Sequence, residues 1–132
     1  MITYPLTLGD RYTRLLEYGA GPVVIVLVHG LGARADRWRR NIGPLAEAGY
    51  RCVAFDLPEH SFTSKDGDFE FTVRNCARFV ADLLTELDIG GAVLIGTSVG
   101  GYIAAHMICA GLHRVEALAL VGTIGIVPME LD

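Results

Sequence analysis

Ser98 lies in the run Gly96-Thr97-Ser98-Val99-Gly100, a hydroxyl set between two glycines at the spacing of a serine that attacks carbonyl carbon. If that run is a sharp strand-to-helix turn, side chains two residues to either side of the serine would collide. Gly96 and Gly100 are therefore what the turn requires. The strain of such a turn pushes the Ser98 Oγ out over a sheet. The amide of Val99, at the start of the next helix, then points at the oxygen that gains negative charge during attack. A second element, His29-Gly30-Leu31-Gly32, follows a continuous apolar run. Its glycines let a backbone amide turn toward the serine, and the Leu31 N–H is the natural second donor. The alternative for Gly30 and Gly32 is an ordinary strand-to-helix turn, and for Ser98 a helix N-cap. Gly-x-Ser-x-Gly is a weak signal by itself in a chain with 16 glycines. Its weight comes from its place between a strand and a helix, and from the second motif standing upstream in the right order.

The elements that must hold these motifs follow from periodicity. Val23 to Val28 is β-branched and continuous, as a central parallel strand covered on both faces would be. Tyr12 to Glu17 reads as an earlier strand, and Cys52 to Phe55, Ala92 to Ile95 and Ala117 to Val121 as later ones. Trp38, Ile42 and Leu45 recur at helical spacing up to Gly49, with Pro44 implying a kink or a late start. Cys76, Phe79, Val80, Leu83, Leu84 and Leu87 trace one stripe of a helix over 72–87, opposite Arg74, Arg78, Asp82 and Glu86. Val99 to Ala110 is a helix of small residues. The order β-β-α-β-α-β-α-β predicts a parallel, doubly wound sheet with right-handed crossovers and its chemistry at the carboxyl ends of the strands.

Composition narrows the function. The 132 residues are 52% hydrophobic and 20% charged, suited to one compact domain without repeats or linkers. A net charge of −4 offers no field for a nucleic-acid backbone, and Arg34, Arg37, Arg39 and Arg40 form only a local cluster. No run is long enough to span a bilayer, and the first five residues lack the regions of a signal peptide, so the expected compartment is cytoplasmic. Cys52, Cys76 and Cys109 each sit in an apolar stretch with no metal-ligand spacing, which predicts three buried free thiols and neither metal nor cofactor. A mean hydropathy of +0.40 suggests apolar surface that something else covers.

With His29-Gly30-Leu31-Gly32, then Asp56-Leu57-Pro58, then Gly96-Thr97-Ser98-Val99-Gly100-Gly101, the chain resembles the α/β-hydrolase superfamily over nearly its whole length. It is similar to the serine-nucleophile branch of small bacterial esterases, lactonases and meta-cleavage-product C–C hydrolases. The resemblance implies a mainly parallel sheet with helices on both faces, residues 1–132 forming its N-terminal portion and stopping after about the sixth strand, before the cap and the last two strands. It also implies a Ser-His-acid enzyme that acts on a small acyl substrate through an acyl-enzyme on Ser98. In that family the acid and the histidine follow the nucleophile, and no histidine follows Val121 here. Among the local histidines, His29 belongs to the 29–32 turn, His106 lies two turns along the helix after Ser98, and His113 lies in the loop before the last strand. His60, whose loop rims the same sheet edge as Ser98, is the least implausible substitute. Asp56 is expected to end its strand by accepting loop amides.

The resemblance has departures. Where the family commonly has Asp-x-Pro-Gly-x-Gly-x-Ser, Glu59 and Ser61 replace the glycines and Thr63 replaces the serine. At positive φ, each glycine replacement would cost about 1 kcal/mol or more. A catalytically inactive half-domain that binds a ligand or partner is the alternative function. An exposed strand over 117–121 would then invite a second copy of the chain or a complementing C-terminal polypeptide.

Overall fold

The computed structural model describes residues 1–63 and 67–123. Six strands form one sheet: β1 (Ile2–Leu8), β2 (Arg11–Tyr18), β3 (Val24–Val28), β4 (Arg51–Phe55), β5 (Ala92–Thr97) and β6 (Val115–Val121). Their spatial order is β1-β2-β4-β3-β5-β6, antiparallel from β1 through β2 to β4 and parallel from β4 through β6. Strand β3 sits in the middle, with Val26 opposite Val53 on one side and Leu94 on the other, and all five of its residues are buried. Its unbroken apolar run is the pattern of a strand covered on both faces.

Three α-helices cover the sheet: α1 (Arg39–Glu47), α2 (Val73–Glu86) and α3 (Val99–Cys109). Helix α2 starts where the Thr72 hydroxyl accepts the Asn75 amide at 3.0 Å, an N-cap that satisfies one of the free first-turn donors. Its buried stripe, including Cys76, Phe79, Val80, Leu83 and Leu84, joins Ile103, Ala104 and Met107 of α3 over one face of the sheet. The other face is packed by Ala35 and Trp38 of a short 3-10 helix (Ala35–Trp38) and by Ile42 of α1, against Ile25, Leu27, Cys52 and Ala54. Pro44 lies inside α1 and cannot donate, which leaves the Arg40 carbonyl without its helical partner.

Two expectations need correction. Strand β1 was not anticipated: Ile2, Tyr4, Leu6 and Leu8 alternate as a strand should, but Pro5 masks the pattern. The proline is tolerated because β1 is at the sheet edge, where a ladder donor can be spared. Gly9, at φ +61, opens the two-residue loop that joins β1 to β2. Cys52 and Cys76 are buried, with burial pushing the Cys76 thiol up to about 12, but Cys109 ends α3 in solvent and is exposed. Strand β6 forms the edge opposite β1, and its Ala117, Ala119 and Val121 are exposed.

Candidate functional site

Ser98 joins β5 to α3 with φ 53° and ψ −124°, a conformation that L-residues rarely hold. A β-carbon on Gly96 would lie 2.5 Å from the Gly100 carbonyl oxygen and 2.6 Å from the Gly101 nitrogen. One on Gly100 would overlap the Val28 carbonyl and come 2.5 Å from that of His29. The two glycines are therefore required by backbone approach on both sides of the turn. The Ser98 amide donates to the Val121 carbonyl at 3.3 Å, which ties the turn to the end of β6.

Ser98 occupies the N-cap position of α3, yet its side chain makes no capping hydrogen bond, unlike Thr72 on α2. The plain structural explanation for a serine here is thereby removed. The residue is exposed, and among the described residues its Oγ, the Leu31 amide and the Val99 amide have no internal hydrogen-bond partner. The 29–32 turn lies directly alongside: a β-carbon on Gly30 would stand 3.2 Å from Ser98 Cβ and 3.8 Å from its Oγ. Gly32 has φ +75°, and Leu31 between the two glycines is 70% exposed. The structure thus brings Gly30, Leu31, Ser98 and Val99 together at the carboxyl ends of β3 and β5.

Among the described residues, no histidine is placed to receive the Ser98 proton. His29 is fully buried; its Nε2 accepts the Leu57 amide at 2.9 Å, so its Nδ1 carries the proton and donates to the Gly30 carbonyl at 2.7 Å. Burial holds this imidazole below its ordinary pKa, against the opposing pull of the Gly30 carbonyl. His60 is engaged in the same way: Nε2 accepts the Gly32 amide at 2.9 Å, and Nδ1 donates to the Pro58 carbonyl at 2.9 Å. His113 bonds the Gly90 carbonyl, at the amino end of β5, and His106 lies eight residues along α3, about 12 Å of helical rise from Ser98.

Asp56 is fully buried and accepts the Ala35 amide at 2.8 Å and the Phe62 amide at 3.4 Å, as its place at a strand end suggested. The sequence did not reveal that Arg14 Nε also donates to it at 3.0 Å while Arg14 Nη2 reaches Asp36 at 2.6 Å. Glu59 and Ser61 do adopt positive φ, 62° and 43°. Among the described residues no group of three or more His, Cys, Asp or Glu side chains could hold a metal ion, and no helix is long and apolar enough to cross a membrane.

This geometry can be compared with known proteins. The chain is 37% identical over 115 residues to the dihydrolipoyllysine-residue acetyltransferase component of the acetoin cleaving system of Cupriavidus necator, covering 87% of this chain and 29% of that protein. It is 34% identical over 119 residues to a 2-hydroxy-6-oxononadienedioate/2-hydroxy-6-oxononatrienedioate hydrolase of Cupriavidus pinatubonensis, covering 86% and 41%. The crystal structure of a membrane phospholipase A, a bacterial virulence factor, superposes with a TM-score of 0.91 at 30% identity, covering 98% of this chain and 42% of that one. The chain thus spans well under half the length of each of these relatives. The family described as alpha/beta hydrolase fold matches residues 23–131, a span that runs from the central strand through both glycine turns. With a mainly parallel sheet of six strands among the described residues, helices on both faces and a serine held in a strained strand-to-helix turn, the chain belongs to the α/β-hydrolase fold family.

Proposed function

We propose that the protein cleaves an ester, lactone or C–C bond of a small acyl substrate through an acyl-enzyme on Ser98. The observation that carries this is the strained φ of an exposed serine whose hydroxyl caps nothing, beside two backbone amides with no internal acceptor among the described residues. Strain persists only where the surroundings impose it, and glycine would relieve it here at once. The Ser98 Oγ attacks the carbonyl carbon and passes its proton to a base. The carbonyl oxygen becomes an oxyanion between the Leu31 and Val99 amides, where the start of α3 adds its dipole. Collapse expels the leaving group with a proton, and water then releases the acid from Ser98 by the same steps in reverse roles. Among the described residues no histidine serves as that base, because His29 and His60 have both ring nitrogens engaged while His106 and His113 lie on α3 and at the opposite end of β5.

The similarity to a dienedioate hydrolase and to an acetyltransferase component supports acyl chemistry at this site, with water or another nucleophile as acceptor. A fluorophosphonate probe tests the proposal on the intact protein. Rapid labelling at neutral pH that disappears in Ser98→Ala is the expected result. Labelling that survives that substitution, or none at all, would leave a ligand- or partner-binding role. Residues 1–132 alone should react slowly, since loss of the base leaves residual catalysis of only about 10³ to 10⁴ over water.

A further inference from the structure

Two loops meet behind the Ser98 turn, and each offers a histidine acceptor to the other's backbone. From the 29–32 turn, His29 Nε2 accepts the Leu57 amide at 2.9 Å. From the loop after β4, His60 Nε2 accepts the Gly32 amide at 2.9 Å. Each ring spends its Nδ1–H on a carbonyl of its own loop, Gly30 for His29 and Pro58 for His60, which fixes both tautomers. The ring centroids of His29 and His60 lie 5.2 Å apart, and that of Phe71 lies 5.2 Å from His60's.

The loop that carries His60 is built to hold that ring still. Residues 59 and 61, on either side of it, are both left-handed, a conformation disfavoured for L-residues. The His60 amide donates to Thr63 Oγ1 at 3.0 Å, and that buried hydroxyl donates to the Leu57 carbonyl at 2.8 Å. Glu59 faces Arg11 at 3.8 Å, anchoring the near side of the loop to β2. Backbone strain on both sides of one side chain, with the ring then aimed at an exposed glycine amide, suggests that the ring's position has a use.

We propose that His60 is a positioning residue for the oxyanion site: by fixing the Gly32 amide it braces, at the adjoining peptide, the turn that carries the Leu31 amide beside Ser98. The inference rests on the acyl-enzyme proposed above. The Leu31 N–H shares its peptide with the Gly30 carbonyl, which accepts the His29 Nδ1–H at 2.7 Å and the Ala33 amide at 3.1 Å; the next peptide, between the exposed Leu31 and Gly32, is held by His60, and a donor misplaced by about 1 Å can cost roughly 100-fold in rate.

The acceptor atom, not the bulk of the ring, is what the proposal requires, and two amide variants separate them. In His60→Gln the side-chain oxygen stands near the place of Nε2, within reach of Gly32. In His60→Asn the shorter side chain can replace only the Nδ1 contact to Pro58. Hydrolysis of p-nitrophenyl butyrate by the intact protein, thermal midpoints and hydrogen exchange at the Gly32 amide are the measurements. His60→Ala and His60→Asn should lower kcat by about 10- to 100-fold with KM within about twofold, and speed Gly32 exchange. His60→Gln should recover most of kcat and of the protection. A kcat unmoved by His60→Ala, or restored by His60→Asn and not by His60→Gln, overturns the positioning role. Hydrolysis that survives Ser98→Ala overturns the nucleophile assignment instead, so the two failures are told apart.

Discussion

Gly100 is pressed so closely against Val28 that a methyl group on it would overlap the Val28 carbonyl oxygen. Both partners are backbone, at the N-terminus of α3 and the end of β3, so neither can step aside cheaply. Gly100→Ala should therefore destabilise the fold by about 3 kcal/mol, the upper range for overpacking. Gly43, inside α1, is the internal control, because a methyl group placed there would meet no atom within 4 Å. Gly43→Ala should stabilise by about 0.5–1 kcal/mol, because alanine loses less freedom on entering a helix. Urea midpoints that move in the same direction for both would refute the account of the turn.

Ser98 is held at φ 53° although its side chain makes no capping hydrogen bond. Ser98→Ala removes the hydroxyl but keeps the strain, whereas Ser98→Gly removes both. The glycine variant should be the more stable of the two by about 1 kcal/mol after glycine's larger unfolded-state entropy is subtracted, while both lose reactivity. Equal stability in chemical denaturation would show that the turn is not strained.

Ser61, at φ 43°, is the simpler of the two left-handed positions beside His60. Glu59 faces Arg11 at 3.8 Å, so its replacement would change two things at once. Ser61→Gly should raise the thermal midpoint, by the equivalent of about 0.5–1 kcal/mol. A lowered midpoint would mean that the Ser61 side chain contributes more than its backbone costs.

His29 makes stability depend on pH in a direction fixed by burial. Its folded pKa lies below the unfolded value near 6.5, so the unfolded chain binds the extra proton first. The contribution is complete above about pH 6.5 and is lost as pH falls below it toward the folded pKa. The groups that face this ring are His60, Asp56 and Arg14; His60 and Arg14 oppose its protonation, and Asp56 favours it. Urea midpoints should be level above about pH 6.5 and drop as pH falls below it, and His29→Gln, which keeps an acceptor for Leu57 without titrating, should flatten that drop. An unchanged slope in the variant would assign the effect to other groups.

What the sequence disclosed was what is encoded locally. The run from Val24 to Val28 announced the central strand, the stripe from Cys76 to Leu84 announced α2, and the Gly-flanked Ser98 announced its turn, because each depends on neighbours a few positions away. Asp56 could be placed at a strand end, but its bond to Arg14 spans 42 positions and has no periodicity. The His60 to Gly32 contact spans 28 positions, and a histidine in a loop reads more naturally as a base than as a strap. Cys109 looked buried because its surroundings are apolar, yet it is the last residue of a helix and falls on the outer side.

Strand β3 pairs with β4 and with β5, and β5 arrives only after α1, β4 and α2 have been laid down between them. Gly30 and Ser98 therefore have no relation to each other in a chain where that second pairing is missing. Closing such a loop costs entropy before any contact offsets it, which makes sheets of this connectivity slow to form. A probe that reacts with Ser98 would thus count, during refolding, the molecules in which β5 has found β3, and its burst of labelling would time a single long-range event in the assembly of the sheet.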